Sequence, residues 1–167
     1  MAVKKSRRAA PTRRPKSARR KQTPRRAAVR SVKARRSPET LRLRAFEPAL
    51  TVSDLARSVR FYSDVLGFIV GDRWTDAGVL RGVSLKAGAC DLMLSQDDWS
   101  KGRDRKRGEG VRLWCRTAQG VDGLAARIKA AGGVLAEEPK DQPWGVRSLA
   151  VDDPDGYHLS IYEAKNA

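Results

Sequence analysis

Residues 153–156, Asp-Pro-Asp-Gly, constrain this chain more tightly than any other stretch. Asp at the first position, Pro at the second and Gly at the fourth are the preferences of a type I turn, and the glycine can take the left-handed position that closes a three-residue hairpin loop. Such a loop pairs Asp153 with Tyr157, so residue 150 stands opposite 160 and residue 148 opposite 162. Cross-strand partners share a face, so this register sorts the side chains. Leu149, Val151, Tyr157, Leu159 and Ile161 fall on one side and read as core. Val146, Ser148, Ala150, His158, Ser160 and Tyr162 fall on the other, a mixture that suits the inner wall of a ligand cleft or a half-solvated sheet.

A chain of 167 residues has room for one ordinary domain, or for two small repeated halves around one core. Charge divides it unevenly. Residues 1–44 hold 18 of the 35 Lys+Arg and one of the 19 acidic residues, Glu39, so the whole-chain net charge of +16 belongs to this segment and the remaining body is near neutral. Up to residue 38 the large aliphatic residues are only Val3, Val29 and Val32, among Arg-Arg pairs and Pro11, Pro15 and Pro24. That composition cannot bury enough apolar area to offset its ordering entropy, so residues 1–44 read as a disordered Arg/Lys-rich tail. Three roles compete for it: an organelle transit peptide, which the prolines disfavour; a polycationic arm for non-specific nucleic-acid binding; or a plain solvated extension. No apolar run approaches the roughly 20 residues of a membrane span, and the N-terminus lacks the apolar segment of a secretory signal. The expectation is a cytoplasmic protein without a membrane partner. Cys90 and Cys115 lack metal-like spacing and read as reduced core thiols.

The body begins with a short strand, Ala49-Leu50-Thr51-Val52, and Ser53-Asp54 as a helix start. Leu55, Val59, Tyr62 and Leu66 then share one helical face, and Gly67 stops the helix. Strands read at 68–74, 79–87 and 89–95. The scheme then repeats: a strand at 111–116, a helix capped by Asp122 and carrying Leu124, Ile128 and Ala131, a stop at Gly132-Gly133, and strands at 133–138, 145–152 and 157–163. Asp54 and Asp122 mark matching points of the two halves. The implied fold is α+β, two βαβββ modules at 46–96 and 110–163 within a domain spanning 45–165. The joining loop, 97–109, is polar and reads either as a lid or as a solvated linker.

Two stretches resemble a known family. Val52-Ser53-Asp54-Leu55-Ala56-Arg57-Ser58-Val59-Arg60-Phe61-Tyr62-Ser63-Asp64-Val65-Leu66-Gly67-Phe68 is similar to the opening helix of the vicinal oxygen chelate superfamily, which includes glyoxalase I, ring-cleaving dioxygenases and bleomycin resistance proteins. The run from Trp144-Gly145-Val146-Arg147 through Asp153-Pro154-Asp155-Gly156 to Glu163 resembles its closing strands, with Asp141-Gln142-Pro143-Trp144-Gly145 most like the bleomycin-resistance branch. The resemblance implies modules curled as a mixed sheet around a cleft, a small-molecule ligand and a homodimer that completes the site. It also implies metal-ligand positions, which fall on Glu47, near Met93, near Gly110 to Leu113, and on Ser160. Of these only Glu47 suits a hard divalent ion, so neither a metal nor any other cofactor is expected.

Rings and cations remain. Glu47, Met93, Arg112, Trp114, Arg116, Ser160 and Tyr162 read as the cleft face, with Trp144 at its mouth and Trp99 in the joining loop; Trp74 reads as a cover for a core edge. His158 lies on the cleft face, either as a hydrogen-bonded structural residue or as a general base. The leading function is metal-independent sequestration of a partly aromatic molecule. The alternatives are a lyase, isomerase or dioxygenase-like enzyme, and a nucleic-acid-associated protein acting through its tail. No residue is assigned as catalytic.

Deleting residues 1–38 is expected to leave the unfolding midpoint nearly unchanged in urea or thermal melts, and to abolish any nucleic-acid retention, which in the full chain falls steeply as salt rises. A large loss of stability, or a truncated protein that still holds DNA at moderate salt, refutes this reading of the tail.

Overall fold

A computed structural model describes Leu41 and residues 43–164, with the side chain of Ala164 left aside. Apart from Leu41, Leu43 and Arg44, the segment read as a disordered tail lies outside the described residues.

The first half runs β1 (Ala49–Val52), α1 (Leu55–Arg60), β2 (Ile69–Asp76), β3 (Val79–Ala87) and β4 (Cys90–Gln96). The second runs β5 (Arg112–Arg116), α2 (Val121–Ala130), β6 (Glu137–Asp141), β7 (Val146–Asp152) and β8 (His158–Ala164). Each half forms its own four-stranded mixed sheet with the same topology, β1-β4-β3-β2 and β5-β8-β7-β6, in which only the first and last strands run parallel. The fold is therefore α+β with two unclosed repeats, as the sequence pattern implied. No helix among the described residues is long and apolar enough to cross a membrane.

The Asp-Pro-Asp-Gly loop sets the register of the closing hairpin as its turn chemistry requires. Asp153 N–H donates to the Tyr157 carbonyl at 3.0 Å, Gly156 takes φ +86, and Ser148↔Tyr162, Ala150↔Ser160 and Asp152↔His158 stand opposite one another. The hairpin between β6 and β7 uses the same device, with Pro143 and Gly145 in place of Pro154 and Gly156, and Gln142 N–H donating to the Val146 carbonyl at 2.8 Å. Alternation then sends Leu149, Val151, Leu159 and Ile161 inward, where they are buried.

α1 starts as its sequence signals: the Asp54 carboxylate accepts from Arg57 N–H at 2.9 Å. It continues as a π-helical turn over Phe61–Val65, and Tyr62 is fully buried there, edge-on to both Phe61 and Phe68. α2 does not start as expected. Asp122 lies within its first turn, and the free Val121 N–H is met instead by the Glu163 carboxylate of β8 at 3.1 Å. Asp122 pairs with Arg147. The strand expected at 133–138 begins later and runs over Glu137–Asp141, while Gly133 is pressed between Val65 and Ile128: a Cβ there would lie 2.5 Å from Val65 Cγ1 and 2.6 Å from Ile128 Cγ2.

One hydrophobic core joins the halves. Leu50, Val83, Leu85, Leu92 and Leu94 of the first sheet, Leu149, Val151, Leu159 and Ile161 of the second, and Leu55, Tyr62, Val121, Leu124 and Ile128 of the helices form a single cluster. Each fully buried aliphatic side chain contributes roughly 1.5–3 kcal/mol. Cys115 packs against this cluster, but Cys90 is exposed at the start of β4 and is not a core thiol.

The joining loop is neither a free linker nor an open lid. Its Asp97 side chain is 2% exposed and accepts from Arg105 and Arg107, and Arg107 also lies 3.8 Å from Asp155 in the closing turn. The guanidinium of Arg107 holds the Asp97 carboxyl far below its usual range, with Trp99 N–H and Arg105 adding to the effect. Gly108 passes so close to the turn that a Cβ on it would overlap the Gly156 carbonyl and Tyr157 N. Gly108→Ala is therefore expected to cost about 1–3 kcal/mol in urea melts. Gly110→Ala, at φ +75 with nothing near the added carbon, should cost only the backbone share of about 1 kcal/mol. Equal losses from the two would mean that the close approach at Gly108 is relieved by a shift of the loop.

Candidate functional site

Each sheet turns one face to the shared core and leaves the other open, because its side chains alternate. On the second sheet the parallel register Arg112↔His158, Trp114↔Ser160 and Arg116↔Tyr162 brings these six expected site residues onto one open face, together with Ser148 and Ala150 of β7. Ser148, Ala150 and Ser160 are buried, a floor of small side chains beneath larger neighbours. Trp114 rises beside this floor, 51% exposed, with its ring T-shaped against Tyr162 at 5.6 Å. Its strand neighbours Leu113 and Cys115 point to the core, and Val111, just before the strand, is exposed. Trp144 stands at the tip of the β6–β7 hairpin, 63% exposed, and Gln142 from the same turn donates to Ser148 Oγ at 2.9 Å.

The other expected residues lie elsewhere. Glu47 and Met93 belong to the first half: Met93 N–H donates to the Pro48 carbonyl, and Met93 pairs with Ala49. Trp99 sits in the joining loop at φ +61 with the guanidinium groups of Arg103 and Arg107 4.5 and 4.8 Å from its ring centre. Trp74 does not cover a core edge. It pairs with Gly82 on the open face of the first sheet, where its ring lies over the glycine.

His158 has a partner that sequence reasoning overlooked, although the hairpin register contains it. Asp152, directly across the ladder, lies 2.6 Å from Nδ1. A carboxylate there selects the Nδ1–H tautomer and leaves the Nε2 lone pair unused; that atom is buried without a hydrogen-bond partner. Glu137, opposite Ala150, is engaged by Lys140 at 3.0 Å, and that hydrogen bond holds its carboxyl below the usual range, with smaller contributions from His158 and Arg112.

No group of three His, Cys, Asp or Glu side chains among the described residues is placed to hold a metal ion. The positions implied for metal ligands carry a thioether at Met93 and a buried hydroxyl at Ser160, and Glu47 lies in the irregular segment that precedes β1 in the first half. The donor set does not fit a divalent metal within one chain. Two concavities, of about 540 and 530 Å³, lie against the joining loop. Their charged linings are largely occupied with one another, Asp97 with Arg105 and Arg107, and Asp155 with Ser53. The open face of the second sheet, with its uncommitted rings and cations, is the better candidate.

Comparison with known proteins agrees with this architecture. A profile of the Glyoxalase/Bleomycin resistance protein/Dioxygenase superfamily matches residues 44–161. The chain is 30% identical over 137 residues to a probable lactoylglutathione lyase of Vibrio cholerae serotype O1, covering 74% of this chain and 93% of that protein. It is also 30% identical over 125 residues to a bleomycin resistance protein of Geobacillus stearothermophilus, covering 70% and 93%. Among solved structures, TnmS3, an antibiotic binding protein from Streptomyces sp. CB03234, superposes with a TM-score of 0.59 at 24% identity, covering 75% of this chain and 99% of that one, a likeness of fold.

A ring lining an open face buries less area than one in the core. Trp114→Ala and Trp144→Ala are therefore expected to lower stability by no more than about 1.5 kcal/mol each, against about 2–5 kcal/mol for Leu159→Ala, which removes a side chain only 1% exposed. Thermal and urea melts of the three variants check this; a Trp114→Ala protein as unstable as Leu159→Ala would place the indole in the core.

Proposed function

The chain belongs to the glyoxalase/bleomycin resistance protein/dioxygenase superfamily, and from that premise we propose that it is a small-molecule-binding protein of the bleomycin-resistance type. It holds a partly aromatic ligand without a metal. The observation that carries this reading is the half-exposed Trp114, braced by Tyr162 above a floor of Ser148, Ala150 and Ser160, on a face whose donors do not make a metal site. An exposed indole has lost little stability by staying wet, yet it offers an incoming ring a large apolar contact at low entropic cost. One sheet face is open on its far side, so enclosure of a ligand requires another surface. A second copy of the chain, supplying the open face of its own first sheet with Trp74 and Met93, is the proposed cover, and the functional unit is a homodimer.

A second reading has its own support. The Asp152–His158 pair is arranged as a general base held in one tautomer, and the Vibrio relative is named as a probable lyase. Under this reading the chain is an acid–base enzyme, and His158 carries the proton.

The deciding experiment is native mass spectrometry of the purified full chain, with elemental analysis after dialysis. Binding predicts a retained organic molecule on a dimer, no stoichiometric zinc, nickel or iron, and a ligand affinity weakened by about 1–3 kcal/mol in Trp114→Ala or Trp144→Ala. Stoichiometric metal, or turnover of the glutathione hemithioacetal of methylglyoxal that is lost in His158→Gln, would put the enzyme first.

A further inference from the structure

The charges on the open face of the second sheet are unevenly matched. Its two carboxylates each have a partner on the same face: Asp152 lies 2.6 Å from His158 Nδ1, and Glu137 lies 3.0 Å from Lys140. Its two arginines have no such partner. Arg112 and Arg116 are exposed, neither makes an ion pair or a hydrogen bond among the described residues, and Arg112 reaches Glu137 only through a longer-range field. They flank Trp114 on the edge strand β5, one residue removed on either side along the same face, and so are about 13 Å apart at the backbone. An aromatic surface between two unpaired guanidinium groups repels a cation that cation–π attraction alone would draw to the ring.

We propose that this face takes a planar aromatic acid, its ring stacked on Trp114 and its carboxylate or other anionic group held by Arg112 or Arg116. The proposal rests on the small-molecule reading above and adds the charge class of the ligand. Guanidinium groups suit it because they present paired, coplanar N–H donors to a planar oxyanion and stay charged at every physiological pH.

The test uses the full chain and three probes of one shape: 2-naphthoate, neutral 2-naphthamide and cationic 2-naphthylmethylamine, titrated by calorimetry at about 150 mM salt, where exposed charges more than about 8 Å apart are largely screened. The naphthoate is expected to bind about 10- to 100-fold tighter than the amide, the worth of a charge-assisted hydrogen bond, with the amine weakest. In Arg112→Gln/Arg116→Gln, whose changes are on exposed side chains and whose basic tail is intact, the naphthoate should fall to the level of the amide. Trp114→Ala should weaken binding of all three by about 10- to 100-fold.

A wild-type protein that binds the amine or the amide as tightly as the naphthoate overturns the proposal while the binding reading survives. So does a preference for naphthoate that persists in the double arginine variant, which would assign it to the tail. If none of the probes binds in a Trp114-dependent way, the small-molecule reading of this face falls with it.

Discussion

Two carboxylates in one tight turn hold the halves of this protein together. Asp153 accepts from Tyr157 N–H and Asp155 N–H within its own loop, and from the hydroxyl of Tyr62 in the opposite half at 3.2 Å. Asp155 accepts from Ser53 N–H at 3.1 Å and from Ser58 Oγ, at the start of α1, and faces Arg107 from the joining loop. Hydrogen bonds to a charged acceptor are worth about 1.5–3 kcal/mol each, and a buried carboxylate deprived of them is far costlier than its absence. Burial pushes both the Asp153 carboxyl and the Tyr62 hydroxyl up, and the bonds each carboxylate receives are what make its position tolerable. A turn that shapes a hairpin locally thus also fixes where the first helix sits.

That docking decides which sheet faces stay wet. With α1 and α2 both drawn into a common core, the inner faces of the two sheets are dry and their outer faces carry the remaining rings and charges. The joining loop cannot fold over the second sheet as a lid, because Asp97, Arg105 and Arg107 tie it to the closing turn and Gly108 is wedged against Gly156. The outer face of the second sheet therefore stays open within one chain, and its side chains stand on regular strands, where ladder geometry holds them in place.

Within that face the division of labour follows from strand position. Central β7 and β8 supply a floor of Ser148, Ala150 and Ser160, short enough to lie below their neighbours. Edge strand β5 supplies the long side chains Arg112, Trp114 and Arg116, which have room because no strand lies beyond them. Asp152 and His158 close one end with a carboxylate–imidazole pair, and the Gln142–Gly145 turn, carrying Trp144, lies beyond the other.

By itself the sequence determined whatever depends on neighbours along the chain. Turn residues 153–156 dictated a hairpin register that the ladder reproduces pair by pair, the 55–59–62–66 spacing dictated the buried face of the first helix, and period-2 alternation turned Trp114 to the side of its strand away from Leu113 and Cys115. The Asp152–His158 pair was contained in that register as well. Tertiary structure alone decided what depends on groups distant in sequence. Glu163, not Asp122, serves the N-terminus of α2; Gly133 is pinned between Val65 and Ile128; Asp97 finds Arg105 and Arg107; Trp74 covers Gly82; and Met93 lies on a different sheet from Ser160. Periodicity reports which face of an element is dry, because that is a property of consecutive residues. It carries no information on which dry faces meet, since a carboxylate or a methyl group reads the same in the chain whatever it will touch.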